Sequence, residues 1–392
     1  MKEQIIVSRN FRIVTFILMA IGAGTFIFGL LSDPKLTWAN YLVVNYYFFS
    51  LAMGGVFFFV LQSISQSGWA SAFQRVSEAM MSYIPFAGIL FLLLWFGVNH
   101  LYEWSHKDAV ALDPVLQHKS VFLNTPFFMA RIIIYFILWV VFIRILRTIS
   151  LRGDQADPSD MNRILALFNK SELYSKMFIF ILAITVSLAS FDWIMSIDAH
   201  WYSTIFAFKN IASAFLHGVS VLTLIVFILN KRGYFPFLNK FHMHDFARYI
   251  FMFSIIWGYF WFAQFMIIWY GNIPEETGYY FVRWQGGWKV MFFLEIILNW
   301  AIPFLVLLPV KASRNRTIII SVIICLIIGQ YIDIFMQVIP GTTGLLRFGL
   351  IEGGLFLGFA GLFAFTVATS LSRAKLIPAN HPYLQESLDH RF

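Results

Sequence analysis

Charge is scarce in this sequence. Asp, Glu, Lys and Arg together make up 12% of its 392 residues, against roughly 25% in an ordinary soluble domain. A chain of this length with so few charges cannot cover a water-facing surface. Cysteine is nearly missing as well. Cys325 stands alone, which excludes disulfides within the chain, four-thiolate zinc, thiolate-held iron–sulfur clusters and covalent c-type haem. No small-x-small cleavage site follows the first apolar run, so that run reads as a retained helix and not a removed signal peptide. No stretch between apolar runs is long enough to fold as a soluble domain; the longest, around 150–173, has about 25 residues.

What is present is apolar: 59% hydrophobic residues, 19% aromatic ones and a mean hydropathy of +0.74. Stretches long enough to span a bilayer, at around 20 residues each, fall near 11–31, 41–64, 82–101, 125–147, 174–196, 205–229, 246–270, 287–309, 316–339 and 350–371. The expected fold is therefore an all-α integral membrane protein with about ten transmembrane helices and one polytopic domain over 1–392.

The net charge of +8 has a topological reading. Lys2, Arg9 and Arg12, then Arg144, Arg147, Arg152, Arg163 and Lys170, then Lys231, Arg232 and Lys240, then Lys311, Arg314 and Arg316, and finally Arg373 and Lys375 all fall on one set of alternate loops and ends. The other loops carry Glu103, Asp108, Asp113, Glu275 and Glu276. The positive-inside rule puts both termini in the cytoplasm. No basic patch interleaved with aromatics points to nucleic acid. A faint internal echo is also present: Trp38 and Gly55 recur as Trp201 and Gly218, each 163 residues further on, as in a parallel four-helix repeat.

Ionisable residues inside spans are costly and usually functional. Here they are His100 at the end of the third span, Arg131, Asp192, Lys209, His217, Glu295, Asp333 and Glu352. Nearly all lie in the outer half or near the midplane, and the cytoplasmic half reads as almost purely apolar. Helical spacing aligns Lys209, Ser213 and His217 at i, i+4, i+8, Gln330, Asp333 and Gln337 at i, i+3, i+7, and Glu295 with Asn299 at i, i+4. Such stripes suit a proton path or a quinone headgroup site, or else plain interhelical hydrogen bonding. The bonding role fits Gln330, Gln337 and Asn299; the functional one fits Asp333, Glu295 and His217. Haem b is not expected, because His217 is the one histidine well inside a span and a facing axial partner at its depth is missing. His242 and His244 read as loop residues. No metal-ligand spacing is recognisable.

The stretches SFDWIMSIDAHWYSTIFAF (190–208), WFAQFMIIWYGNIPEE (261–276) and NHLYEWS (99–105) resemble the NrfD/PsrC-like, or polysulfide-reductase, membrane subunits. The likeness is nearest to their quinol:cytochrome c oxidoreductase branch, found in bacterial alternative complex III, and extends over nearly the whole chain. The resemblance implies two four-helix bundles, spans 2–5 (about 41–196) and 6–9 (about 205–339), flanked by spans 1 and 10. It also implies a respiratory electron-transport subunit of the bacterial inner membrane without a redox centre of its own, working with menaquinone or menaquinol. Its partners would be an iron–sulfur subunit, multihaem cytochrome c subunits and a paralogous, ActC-like membrane subunit. A family-like quinone pocket would draw on His100, Glu103, Arg131 and Asp192. Lys209, His217, Glu295 and Asp333 would be candidates for a proton half-channel. A structural or proton-conducting subunit without a quinone site is the alternative. A secondary transporter is the more distant one, because Pro303 in span 8 has no matching break in span 4.

Overall fold

A computed structural model describes residues 4–391, so Lys2 lies outside the described residues. Among them there is no strand. Ten helices are long and apolar enough to cross a membrane: α1 (Arg9–Ser32), α2 (Pro34–Ile64), α3 (Ser71–Phe96), α4 (Thr125–Asp154), α5 (Met161–Ile197), α6 (Ile205–Lys231), α7 (Lys240–Gly271), α8 (Trp288–Leu307), α9 (Arg316–Thr342) and α10 (Leu350–Leu371). The protein is an all-α, multi-pass membrane protein. Hydrocarbon offers no partner for a backbone N–H or C=O, so each crossing must satisfy its own. An even number of crossings returns the chain to one face, where the Gln4 amide donates to the Ser372 carbonyl. We call this the terminal face and its opposite the far face.

Several helices exceed the expected spans. The Asp160 side chain caps α5 by accepting from the Arg163 N–H, and the good helix formers of 161–173 extend it beyond the bilayer. The stretch between α4 and α5, expected to be about 25 residues long, is accordingly short. The third span was expected at 82–101 and instead starts at Ser71, which brings Arg75 and Glu78 inside the bundle. In α8, Pro303 has no N–H to give the carbonyl four residues before it, and the helix widens to a π segment over Ile297–Ala301.

Packing closes two rings. Helix α2 meets α3, α3 meets α4, α4 meets α5 and α5 returns to α2, while α6, α7, α8 and α9 close in the same way. The rings join where α2 packs on α6 and α9, and α6 packs on α2 and α5. The α2–α6 crossing depends on glycine: a Cβ on Gly54 would lie 2.2 Å from the Ala214 carbonyl oxygen and 2.5 Å from Gly218 Cα. Small residues permit this backbone approach. Gly55, one of the residues of the sequence echo, faces Met80, and it is its neighbour Gly54 that meets Gly218. Helix α10 packs on α1 through a similar stripe in which Gly22 faces Gly358, and both lie beside the first ring.

The terminal half is less apolar than the sequence suggested. Glu78 is buried and pairs with both Arg75 and Arg147, and Arg75 also reaches Asp154. Ser150 and Gln74 bond the other Glu78 oxygen at 2.5 and 2.8 Å. Two cations thus meet two carboxylates, a charge-balanced cluster that ties α3 to α4. The tail then crosses this face as a strap. Ala379 N–H donates to Asp154, Ser387 donates to the Trp69 carbonyl, and His390 meets Asp245 at 2.5 Å. His242 and His244 are buried in the first turns of α7, not loop residues, and bond the Ser387 carbonyl and Ser313 Oγ.

Candidate functional site

The first-ring candidates divide into two places. Arg131 of α4 and Asp192 of α5 form a two-pronged ion pair, Nε to Oδ2 at 2.8 Å and Nη2 to Oδ1 at 2.9 Å. The Tyr135 hydroxyl donates to Oδ2 at 3.0 Å. The remaining Arg131 nitrogen donates to the Phe122 carbonyl at 2.9 Å, and the Phe122 and Phe127 rings lie 3.9 and 4.4 Å from the guanidinium. Bidentate geometry and cation–π contact make this a strong pair. Trp193, next in the chain, is packed among Phe49, Phe91, Phe136 and Trp139. The carboxylate is engaged on both oxygens, so its residence in an apolar helix is explained by Arg131 and Tyr135.

His100 and Glu103 are elsewhere. They are exposed on the far face and line an open cleft of about 380 Å³ with Lys35, His106, Gly341 and Thr342. Arg131 and Asp192 are not part of its lining. Tyr102 stands between, its hydroxyl donating to the Trp193 carbonyl at 2.8 Å. The four residues expected to build one pocket therefore form a buried pair and a surface cleft.

The second-ring candidates converge. Lys209 Nζ lies 2.7 Å from Asp333 Oδ1 and 3.2 Å from Glu295 Oε1. Asp333 Oδ2 accepts from Ser213 Oγ at 3.0 Å and from Trp257 Nε1 at 3.2 Å, and Oδ1 accepts from Gln337 Nε2 at 2.8 Å. His217 continues the line, with Nδ1 2.7 Å from the Ser213 carbonyl and Nε2 2.9 Å from Asn299 Oδ1. Asn299 sits in the π segment and donates to the Gly329 carbonyl at 3.0 Å. Every one of these side chains is buried. At 1.5 Å per residue, Lys209 lies about 6 Å and His217 about 18 Å from the far end of α6. The network thus starts near the far face and stops around the middle of the helix.

Its charge arithmetic has a chemical consequence. One ammonium between two carboxylates carries a net negative charge, which a single added proton removes. Isolated charge in a medium of low dielectric is expensive, so the trio favours holding that proton. Both His217 ring nitrogens face acceptors, and one ring proton satisfies only one of them at a time. A second proton on the ring would therefore be hydrogen-bonded as well. π segments inside α-helices recur at functional sites, and this one places Asn299 against His217.

Some members of this site escaped sequence reading. Arg283, Tyr279 and Tyr280 belong to a short helix, Pro274–Arg283, that read as an acidic loop. A lone arginine beside two acids was the only signal. Gln264 and Trp257 lay within an aromatic span with no polar stripe. Glu352, noted as a charge within a span, accepts from the Gly349 N–H at 2.8 Å and from Asn40 Nδ2 at 3.1 Å, which makes it a helix cap. No metal-holding group of His, Cys, Asp and Glu occurs among the described residues. Neither a family model nor a curated protein matches this chain.

Proposed function

We propose that the chain is a proton-handling membrane subunit of a quinol:cytochrome c oxidoreductase complex of the alternative complex III type. The observation that carries the proton role is the Lys209 ammonium held between Glu295 and Asp333 and continued through Ser213 to His217. These groups form hydrogen-bonded links along which protons move, and the single Cys325 is too few to hold an iron–sulfur cluster. The motifs at 99–105, 190–208 and 261–276 support the choice of complex. Electron transfer then belongs to partner iron–sulfur and multihaem subunits, with menaquinol as donor in the bilayer. The Lys and Arg residues of the loops support a terminal face on the cytoplasmic side and a far face outside, with the inner membrane of a bacterium as the setting the motifs suggest.

The experiment is reconstitution of the purified complex in vesicles with quinol oxidation and proton movement followed together. Glu295→Gln and Asp333→Asn should lower the protons moved per quinol while quinol oxidation continues. Unchanged proton movement in both variants would remove the proposed role. Copurification with iron–sulfur and multihaem subunits tests the complex itself.

A second reading places quinol at the His100/Glu103 cleft, favoured by the volume and openness of that site. Arg131 and Asp192 are then scaffold. Loss of turnover in His100→Ala with normal turnover in a folded Asp192→Asn protein supports this second reading; normal turnover in both removes it.

A further inference from the structure

We propose that Arg283 and Asp198 form the far-face gate of the second-ring relay, with water in a small pocket linking them to Glu295. The proposal rests on the proton-handling reading above. The pocket, about 20 Å³, is lined by Lys209 and Glu295 together with Gln264, Arg283 and Gln337. A water needs about 10–15 Å³ of such space and two or more polar partners. Two partners are at hand. Gln264 Oε1 and Gln337 Oε1 are buried and have no hydrogen-bond partner among the described residues. Both side chains line the pocket, and both oxygens are acceptors, so the occupant must be a donor. Water, which donates twice and accepts from Lys209 or Arg283, fits this demand; a metal cation beside two fixed cations does not.

Arg283 lines this pocket on the side of Asp198. Its guanidinium donates to the Met336 carbonyl at 2.8 Å, to the Tyr279 carbonyl at 2.8 Å and to the Gln337 carbonyl at 3.4 Å. It also lies 3.4 Å from the centre of the Tyr279 ring, which stacks on Trp201 at 3.9 Å. The outermost tie is Nη2 to Asp198 Oδ2 at 3.2 Å, and there the exposure changes: the Arg283 side chain is 4% accessible and that of Asp198 29%. A fixed cation between relay and solvent repels a proton returning from outside. Among the guanidinium's hydrogen-bond partners, Asp198 is the one that changes charge with protonation.

The step balances without a further reactant. Asp198, at the exposed end, takes a proton from bulk water and, once neutral, holds Arg283 less tightly. Glu295 then passes its proton through pocket water, past the loosened guanidinium, to bulk water. Glu295 is left ionised, and Asp198 returns its own proton to bulk water, which restores the pair.

The test uses the full chain in vesicles and follows the infrared carboxyl band of protonated Glu295 after a pH jump on the far face. Asp198→Asn should speed the change in that band about fivefold or more, and Glu295→Gln added to it should remove the band. An unchanged rate in Asp198→Asn, or a band change that survives Glu295→Gln, overturns the gate. A second readout is independent of proton flux. With Cys325→Ser and Gln337→Cys in place, a membrane-impermeant maleimide added at the far face should label faster once Asp198→Asn is introduced; equal labelling overturns the gate as well. If Glu295→Gln leaves the complex's proton movement intact, the underlying reading fails. If it abolishes movement while Asp198→Asn changes nothing, the reading stands and the gate alone is lost.

Discussion

The two rings of this protein each bury charge at similar depth from the far face, and they dispose of it differently. In the first ring one arginine meets one carboxylate with matched forks, and a tyrosine and a carbonyl take what remains. In the second, one lysine serves two carboxylates, and a histidine faces acceptors on both ring nitrogens. Planar guanidinium and carboxylate saturate each other, whereas a point-like ammonium can be shared. Saturation gives a rivet; an unequal count of acids and bases gives a group that gains and loses protons. The Arg75–Glu78–Arg147–Asp154 cluster of the terminal face belongs with the rivets, since its charges balance.

This contrast can be broken by mutation, and the largest effect should come from Lys209→Met. It strands two acids in the bilayer, and removal of one partner from a buried pair costs about 3–5 kcal/mol. Thermal unfolding in detergent should show the loss, and adding Glu295→Gln with Asp333→Asn should recover much of it. Asp192→Asn should cost nearly as much by stranding Arg131, with recovery in Arg131→Met/Asp192→Leu. If Asp192→Asn leaves stability intact and instead alters proton or quinol chemistry, the first ring is no rivet and the contrast fails. Gly218→Ala tests the joint between the rings. Its methyl would lie 2.4 Å from Gly54 Cα, and overpacking costs about 1–3 kcal/mol, read as a lower unfolding temperature with both ion clusters kept.

The smallest effect concerns the strap on the terminal face. Burial, with a smaller contribution from the Arg75 charge, pushes the His381 imidazole down to about 4. The folded protein thus binds fewer protons here than the unfolded chain below the ordinary histidine value of about 6.5. The His381 contribution is complete above that value and declines as pH falls from about 6.5 towards 4. Limited proteolysis of the tail should therefore quicken between pH 7.5 and pH 5, and His381→Phe should flatten that dependence. On the far face, Asp113 has the opposite origin: its hydrogen bond to His200 holds its carboxyl below the usual range, so that tie weakens only at lower pH.

Much of the second-ring site could be read from spacing. Lys209, Ser213 and His217 share one face of α6, and Asp333 with Gln337 and Glu295 with Asn299 share faces of theirs. Spacing within a helix says nothing of which stripe meets which. For that reason Arg131 and Asp192 were grouped with His100 and Glu103, although Tyr102 and the turn of the chain place those two at the surface. Arg283 was illegible because its helix is short and lies outside the apolar runs. Glu78 was missed because α3 begins earlier than its apolar stretch.

The sequence by itself determined the ten crossings and the all-α fold. These are local consequences of a solvent that cannot bond a backbone and tolerates few ions. Only the tertiary structure decided which charges meet. Glycine contacts such as Gly54 on Gly218 draw α2 and α6 together, and the rotational phase of each helix about its axis turns its stripe towards a neighbour or away. That phase is set by packing between residues far apart in the chain, so a rivet in one ring and a relay in the other arise from similar residues.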